Sequence, residues 1–265
     1  MRKENADFRA IIKILQAVIM LFMLFLFASC GGGKDVPLPN VKGEDGKVTI
    51  LLDAGHGFGD VGCTSEYLDG KYEYELTELY VKGLQTRLEA RGYTVLLTHD
   101  GQSFPTAAEI TERADKAKVS YSPEKISDNN VFDAYERAVY ANVLDAEGEI
   151  DFLLSIHVNA NADSSECEGF EIDYCAENGA SNRSKLVFGD ICAALEHAFP
   201  ERRRKEFADS WDEAFIVTKY TTMPSVLFET GFASTQREAE LLLDKGWQAE
   251  LLDTLDAGIA AYFER

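Results

Sequence analysis

Apolar residues along this chain fall into two kinds of run. Short runs without helical period cover Val48–Leu52, Tyr93–Thr98, Asp151–Ile156, Gly169–Tyr174 and Met223–Glu229, and read as strands. The first, third and last are apolar enough to be covered on both faces. Longer stretches with apolar positions three and four apart read as helices: Glu75–Ala90, Val131–Leu144, Ser184–Phe199 and Trp247–Phe263. In the first of these Leu76, Leu79, Tyr80, Leu84 and Leu88 share a face, and Gly92 stops it. Thr235 and Glu238 have the spacing of a capping box. Phe215–Thr218 reads as a further short strand. Gly101–Asn130 is polar, aperiodic toward its end and long for a connection, which suits a wall of a binding groove. Alternating strands and helices predict a single α/β domain. Its twisted, mostly parallel or mixed sheet is flanked by helices, with the active site at the carboxyl ends of the strands.

The N-terminus stands apart from this pattern. Arg2, Lys3, Arg9 and Lys13 precede an unbroken apolar run from Ala17 to Ala28. That run has the length of a signal-peptide core and falls short of the roughly 20 residues of a membrane span. It ends in Leu26-Phe27-Ala28-Ser29-Cys30, which looks like a bacterial lipoprotein signal. The expected division is a signal peptide at 1–29, a lipidated Cys30 with a flexible linker over 30–46, and a catalytic domain over 47–265. The other reading is an uncleaved anchor helix, and either one exports the protein and tethers it to a membrane. Glycines and Lys34 after Cys30, in place of an acidic run, point to the periplasmic side of an outer membrane.

The net charge of -20 argues against nucleic acid as a partner, because that needs a basic face. Nothing suggests a repeat or second domain, and a monomer is expected. Cys63, Cys167, Cys175 and Cys192 contain no Cys-x-x-Cys spacing, which argues against a Cys-ligated zinc site. Export leaves a disulfide among Cys63, Cys167 and Cys175 open, with no pairing legible.

Candidate chemistry sits where two apolar runs stop. His56 follows Leu52-Asp53-Ala54-Gly55, and His157 follows Leu154-Ser155-Ile156. Two of the four histidines, far apart in sequence and both at strand ends, suggest a metal site built from separate segments. Catalytic zinc takes three protein ligands and leaves its fourth position to water. A carboxylate would complete the set. Glu73 lies just ahead of the first helix, and Glu229 ends the last strand in a position that suits a general base. Plainer readings stand beside these: Glu73 as a solvated helix-start acid, and Glu229 as the partner of Lys219 or Arg137.

The chain resembles the zinc-dependent N-acetylmuramoyl-L-alanine amidases. The matching pieces come in the family's order: Leu52-Asp53-Ala54-Gly55-His56-Gly57, Asp60-Val61-Gly62, Glu73, and Arg91-Gly92-Tyr93-Thr94-Val95. Glu136-Arg137-Ala138 with Ala141-Asn142, Ser155-Ile156-His157-Val158-Asn159 and Met223–Phe232 follow. The resemblance implies that His56, Glu73 and His157 bind Zn2+ and that Glu229 is the catalytic acid/base. It implies peptidoglycan as substrate, cleaved at the amide between the lactyl group of N-acetylmuramic acid and L-alanine of the stem peptide. Asn159 and Thr230 would be rim contacts or hold their turns. Some positions depart from the family. Glu75 competes with Glu73 as ligand, and His99 and Lys219 stand where arginines are frequent. The 101–130 segment is long, while Asn159–Gly169 is too short for a blocking helix, so the site is expected to be open. Other functions compatible with the residues are a different zinc amide hydrolase acting on peptides, and a catalytically inactive wall-binding lipoprotein.

Overall fold

The computed structural model describes residues 46–126, 132–148, 150–162 and 166–264. The expected signal segment, Cys30 and all of the linker up to residue 45 lie outside them. Among the described residues no helix is long and apolar enough to cross a membrane.

Six strands form one sheet: β1 (Thr49–Ala54), β2 (Thr94–Leu97), β3 (Phe152–Asn159), β4 (Phe170–Cys175), β5 (Arg204–Asp209) and β6 (Ser225–Phe232), in the order β2-β1-β3-β6-β4-β5. The four strands from β2 to β6 are parallel. β4 runs antiparallel to β6, and β5 parallel to β4. The helices are α1 (Glu73–Arg91), α2 (Ala107–Ala117), α3 (Ala134–Gly148), α4 (Ser181–Ala198), α5 (Ile216–Tyr220), α6 (Gln236–Leu243) and α7 (Lys245–Phe263). This is the α/β architecture with a mixed sheet that the alternating pattern predicts.

β1 and β6 are buried at every residue because helices cover both sheet faces. On one face Ile50, Leu52, Leu154, Ile156, Val226 and Phe228 pack with Leu76, Tyr80 and Leu84 of α1, Ile191 of α4 and Leu251 of α7. On the other, Leu51, Leu153 and Leu227 meet Ala141 of α3 and Val217 of α5. Side chains alternate along a strand, and His157 pairs with Glu229 as Ser155 pairs with Leu227. His157 and Glu229 therefore project toward the α3–α5 side.

Several local expectations are corrected. The first helix begins at Glu73, so that residue lies in the helix and not ahead of it. Leu79 is exposed, and Thr77 and Val81 join the buried face in its place. β3 runs on to Asn159 and β6 to Phe232, so His157 and Glu229 lie within strands. Phe215–Thr218 is the start of α5, not a strand. β5 is an edge strand whose middle four residues are exposed; without a buried face it carries no alternation to read. The 101–130 segment contains α2. Its start is a capping box in which Thr106 Oγ1 accepts from the Glu109 amide and Glu109 accepts from the Thr106 amide. Ile110 and Ala114 bury it against Phe132, Tyr135, Val139 and Val143. Thr235 makes no cap bond. Glu238 is instead buried in a bidentate pair with Arg202, at 2.6 and 3.0 Å, and accepts from the Gly169 amide. The four cysteines among the described residues are free thiols.

Candidate metal centre

His56 leaves the end of β1 in the left-handed region, at φ 67°. Its Nδ1 lies 2.7 Å from Asp60 Oδ2, and Asp60 Oδ1 accepts from the Gly62 amide at 3.0 Å. With Nδ1 held by that carboxylate, Nε2 is the nitrogen left to face a ligand site. It stands 3.2 Å from Glu73 Oε1. His157 reaches the same oxygen from β3, with Nδ1 at 3.2 Å. The two imidazoles are nearly perpendicular, with centroids 4.9 Å apart.

Glu73 is fixed from below. Oε1 also accepts from the Val158 amide at 2.9 Å, and Oε2 from the Cys63 amide at 2.7 Å. The other candidate ligand, Glu75, accepts from the Tyr72 amide and caps α1, away from this cluster.

His56, Glu73 and His157 each offer one donor atom, and all three lie within 4.8 Å of one another. Donors about 2.0–2.2 Å from a tetrahedral zinc stand roughly 3.3–3.6 Å apart, so the two 3.2 Å spacings fit such an ion with little adjustment. Both imidazoles are partly exposed while Glu73 is buried, so the cluster opens to solvent on its histidine side.

Two glycines make room for this arrangement. A Cβ at Gly55 would overlap the His157 ring, and one at Gly62 would meet Glu73 and His56. Gly55→Ala is therefore expected to lower zinc affinity roughly 10- to 100-fold by displacing His157. A chelator-competition titration checks this, and wild-type affinity in the variant would refute it.

Electrostatics separates the two acids. Burial alone would raise the Glu73 carboxyl, but hydrogen bonds and charge from His157 and His56 hold it far below the usual range. Burial pulls His56 down, and Glu73 and Asp60 more than offset that, bringing it to about 8. Glu229 is pushed up to about 8 by burial, then by the charges of Glu73 and Glu171, with His56 opposing. Its Oε2 has no hydrogen-bond partner among the described residues. Glu229 sits opposite His157 on one side and Glu171 on the other.

Glu229 is not the partner of Arg137. Arg137 Nε lies 3.0 Å from Asp53 Oδ1, both residues being buried. Asp53 also accepts from Thr98 and Ser155, each at 2.7 Å. This network ties β1, β2, β3 and α3 together beneath the metal cluster. Sequence reasoning missed its role: Asp53 was visible only as a piece of a matching motif, and Arg137 only as a motif residue and candidate partner of Glu229. His99 is buried and donates to the Ala54 carbonyl at 3.0 Å, so it supports the His56 loop. Thr230 is fully buried and donates to the His157 carbonyl, which makes it a strand tie and not a rim contact. Asn159 donates to Glu171 at 2.6 Å.

A family model described as N-acetylmuramoyl-L-alanine amidase matches residues 50–261. The N-acetylmuramoyl-L-alanine amidase LytC of Bacillus subtilis is 29% identical over 215 residues, which are 81% of this chain and 35% of LytC. The chain thus spans about a third of that relative's length. A germination-specific N-acetylmuramoyl-L-alanine amidase of the same organism is 25% identical over 94% of this chain and 92% of its own. Among solved structures, the CwlD amidase of Clostridioides difficile, determined with the GerS lipoprotein, shares the fold. Its TM-score is 0.64 at 22% identity, over 82% of this chain and 99% of that one. With most of its length matched by the family model, the chain belongs to the N-acetylmuramoyl-L-alanine amidase family.

Proposed function

We propose that the protein hydrolyses the amide between the lactyl group of N-acetylmuramic acid and L-alanine of the peptidoglycan stem peptide, with Zn2+ held by His56, Glu73 and His157. The observation that carries this reading is one carboxylate oxygen 3.2 Å from an imidazole nitrogen on either side, with an unpartnered buried acid opposite one of those imidazoles. When bound, the ion supplies Lewis acidity that polarises the scissile carbonyl and makes water more acidic.

The protein's own part is proton handling and orientation. Glu229 takes a proton from the attacking water and returns it to the departing L-alanine amine. Burial and the nearby Glu73 and Glu171 charges raise its carboxyl to about 8, which puts its proton exchange near neutral pH. Asp60 fixes the orientation of His56, and the Val158 and Cys63 amides fix Glu73.

The N-terminal pattern supports export, removal of residues 1–29 and lipidation of Cys30. Residues 30–46 then tether a monomeric domain to the periplasmic side of an outer membrane. Product analysis on purified muropeptides tests the reaction. An intact stem peptide with a free L-alanine amine is expected, and its release should stop on chelation of zinc. Cleavage between amino acids of the stem would point to a different zinc amide hydrolase, and tight binding without cleavage to an inactive wall-binding protein.

A further inference from the structure

The sheet face from which His157 and Glu229 project is covered by α3 and α5, and two lysines sit at the rim of that layer within a ladder of aromatic rings. Trp211, Tyr220 and Tyr135 meet edge to face, with centroids 5.6 and 5.0 Å apart. Lys219 Nζ lies 5.1 Å from the centre of the Trp211 ring and 5.5 Å from that of Tyr220. Lys125 Nζ lies 4.6 Å from the Tyr220 ring and 5.1 Å from Tyr135, and donates to Tyr220 Oη at 2.8 Å.

The ladder shares its helical layer with residues that support the metal cluster. Tyr135 precedes by two residues Arg137, whose guanidinium meets Asp53, three residues before His56. Val217 of α5 packs in one cluster with Leu227, two residues before Glu229.

Neither lysine forms an ion pair with a carboxylate among the described residues, in a chain whose net charge is -20. Aromatic faces attract a cation without neutralising it, so both ammonium groups keep their charge for an outside partner. Lys125 is exposed, Lys219 is half-buried, and Trp211 is exposed beside them. An anionic peptide approaching this acidic surface finds here a pair of positive charges next to an apolar plane.

Resting on the amidase reading, we propose that Lys125 and Lys219 form a subsite for a free carboxylate of the stem peptide. Lys125 belongs to the long 101–130 segment, which on this view serves as the groove wall that presents it. The subsite makes the enzyme select stems with free carboxylates over stems whose carboxylates are amidated.

Binding separates this proposal from turnover. The full-length Glu229→Gln protein, loaded with zinc, is titrated by calorimetry with a muramyl peptide carrying free stem carboxylates and with its fully amidated counterpart. The free form is expected to bind about tenfold more tightly, the scale of one charge-assisted contact. Adding Lys125→Met with Lys219→Met should erase that preference and leave affinity for the amidated form unchanged. A preference that survives both substitutions, equal weakening of both ligands, or no preference in the parent would overturn the subsite. A wild-type enzyme that shows the preference yet leaves the lactyl–alanine amide intact would keep the subsite and refute the amidase reading.

Discussion

Glu229→Gln is expected to keep the metal and lose turnover by roughly 10²- to 10⁴-fold, the contribution of a well-placed proton carrier. Glutamine has nearly the same shape but cannot accept the proton of water. The three donor atoms that meet are those of His56, Glu73 and His157, and Glu229 is not among them. It sits one strand over from His157, buried, with one oxygen unpartnered. Glutamine fills nearly the same volume outside the donor set, so zinc affinity should stay close to the wild-type value. Zinc content by atomic absorption and kcat on muropeptides are measured together. Metal lost in parallel with activity would make Glu229 a ligand, and near-normal kcat would remove it from the chemistry.

Arg137→Leu should cost the fold about 3–5 kcal/mol, because it strands the Asp53 carboxylate in the interior. Asp53 is fully buried and its carboxyl lies below the ordinary range. Burial opposes that shift, and Arg137, Ser155 and Thr98 together outweigh it. A depressed folded-state pKa contributes stability that is present above the unfolded value, about 3.9, and is lost as pH falls through the folded value. In the wild type this contribution therefore survives well into acid. Without Arg137 the Asp53 pKa rises, so the contribution should vanish and the remaining stability should depend less on acid pH through this group. Urea denaturation midpoints between pH 3 and 7 test this, and an unchanged midpoint at pH 7 would show that the buried pair is dispensable.

Much of the framework was legible because buried strands announce themselves. β1, β3 and β6 are continuous apolar runs, and a strand covered on both faces needs no alternation. The two histidines stood out because each comes where an apolar run stops. What escaped notice lacked a buried stripe. β5 keeps only its ends partly covered, and α5 has five residues, too few for a helical period. α2 carries its capping box in plain view at Thr106 and Glu109, but only Ile110 and Ala114 bury it, which leaves little periodicity. Thr235 and Glu238 show the converse error. Their spacing matches a cap, yet burial places Glu238 against Arg202, where a full ion pair outweighs a helix-end hydrogen bond. Glu229 could be named as the free acid from its motif, but the absence of Arg137 from its side depended on Asp53, a contact across 84 residues that spacing does not reveal.

Anomalous scattering at the zinc edge, from crystals of the full chain grown with equimolar zinc, tests the central claim most directly. A single strong peak bonded to His56 Nε2, Glu73 and His157 Nδ1, with the Glu229 carboxyl outside bonding distance, is the predicted result. A peak on any other group of side chains, or none at those three with zinc in excess, would contradict it.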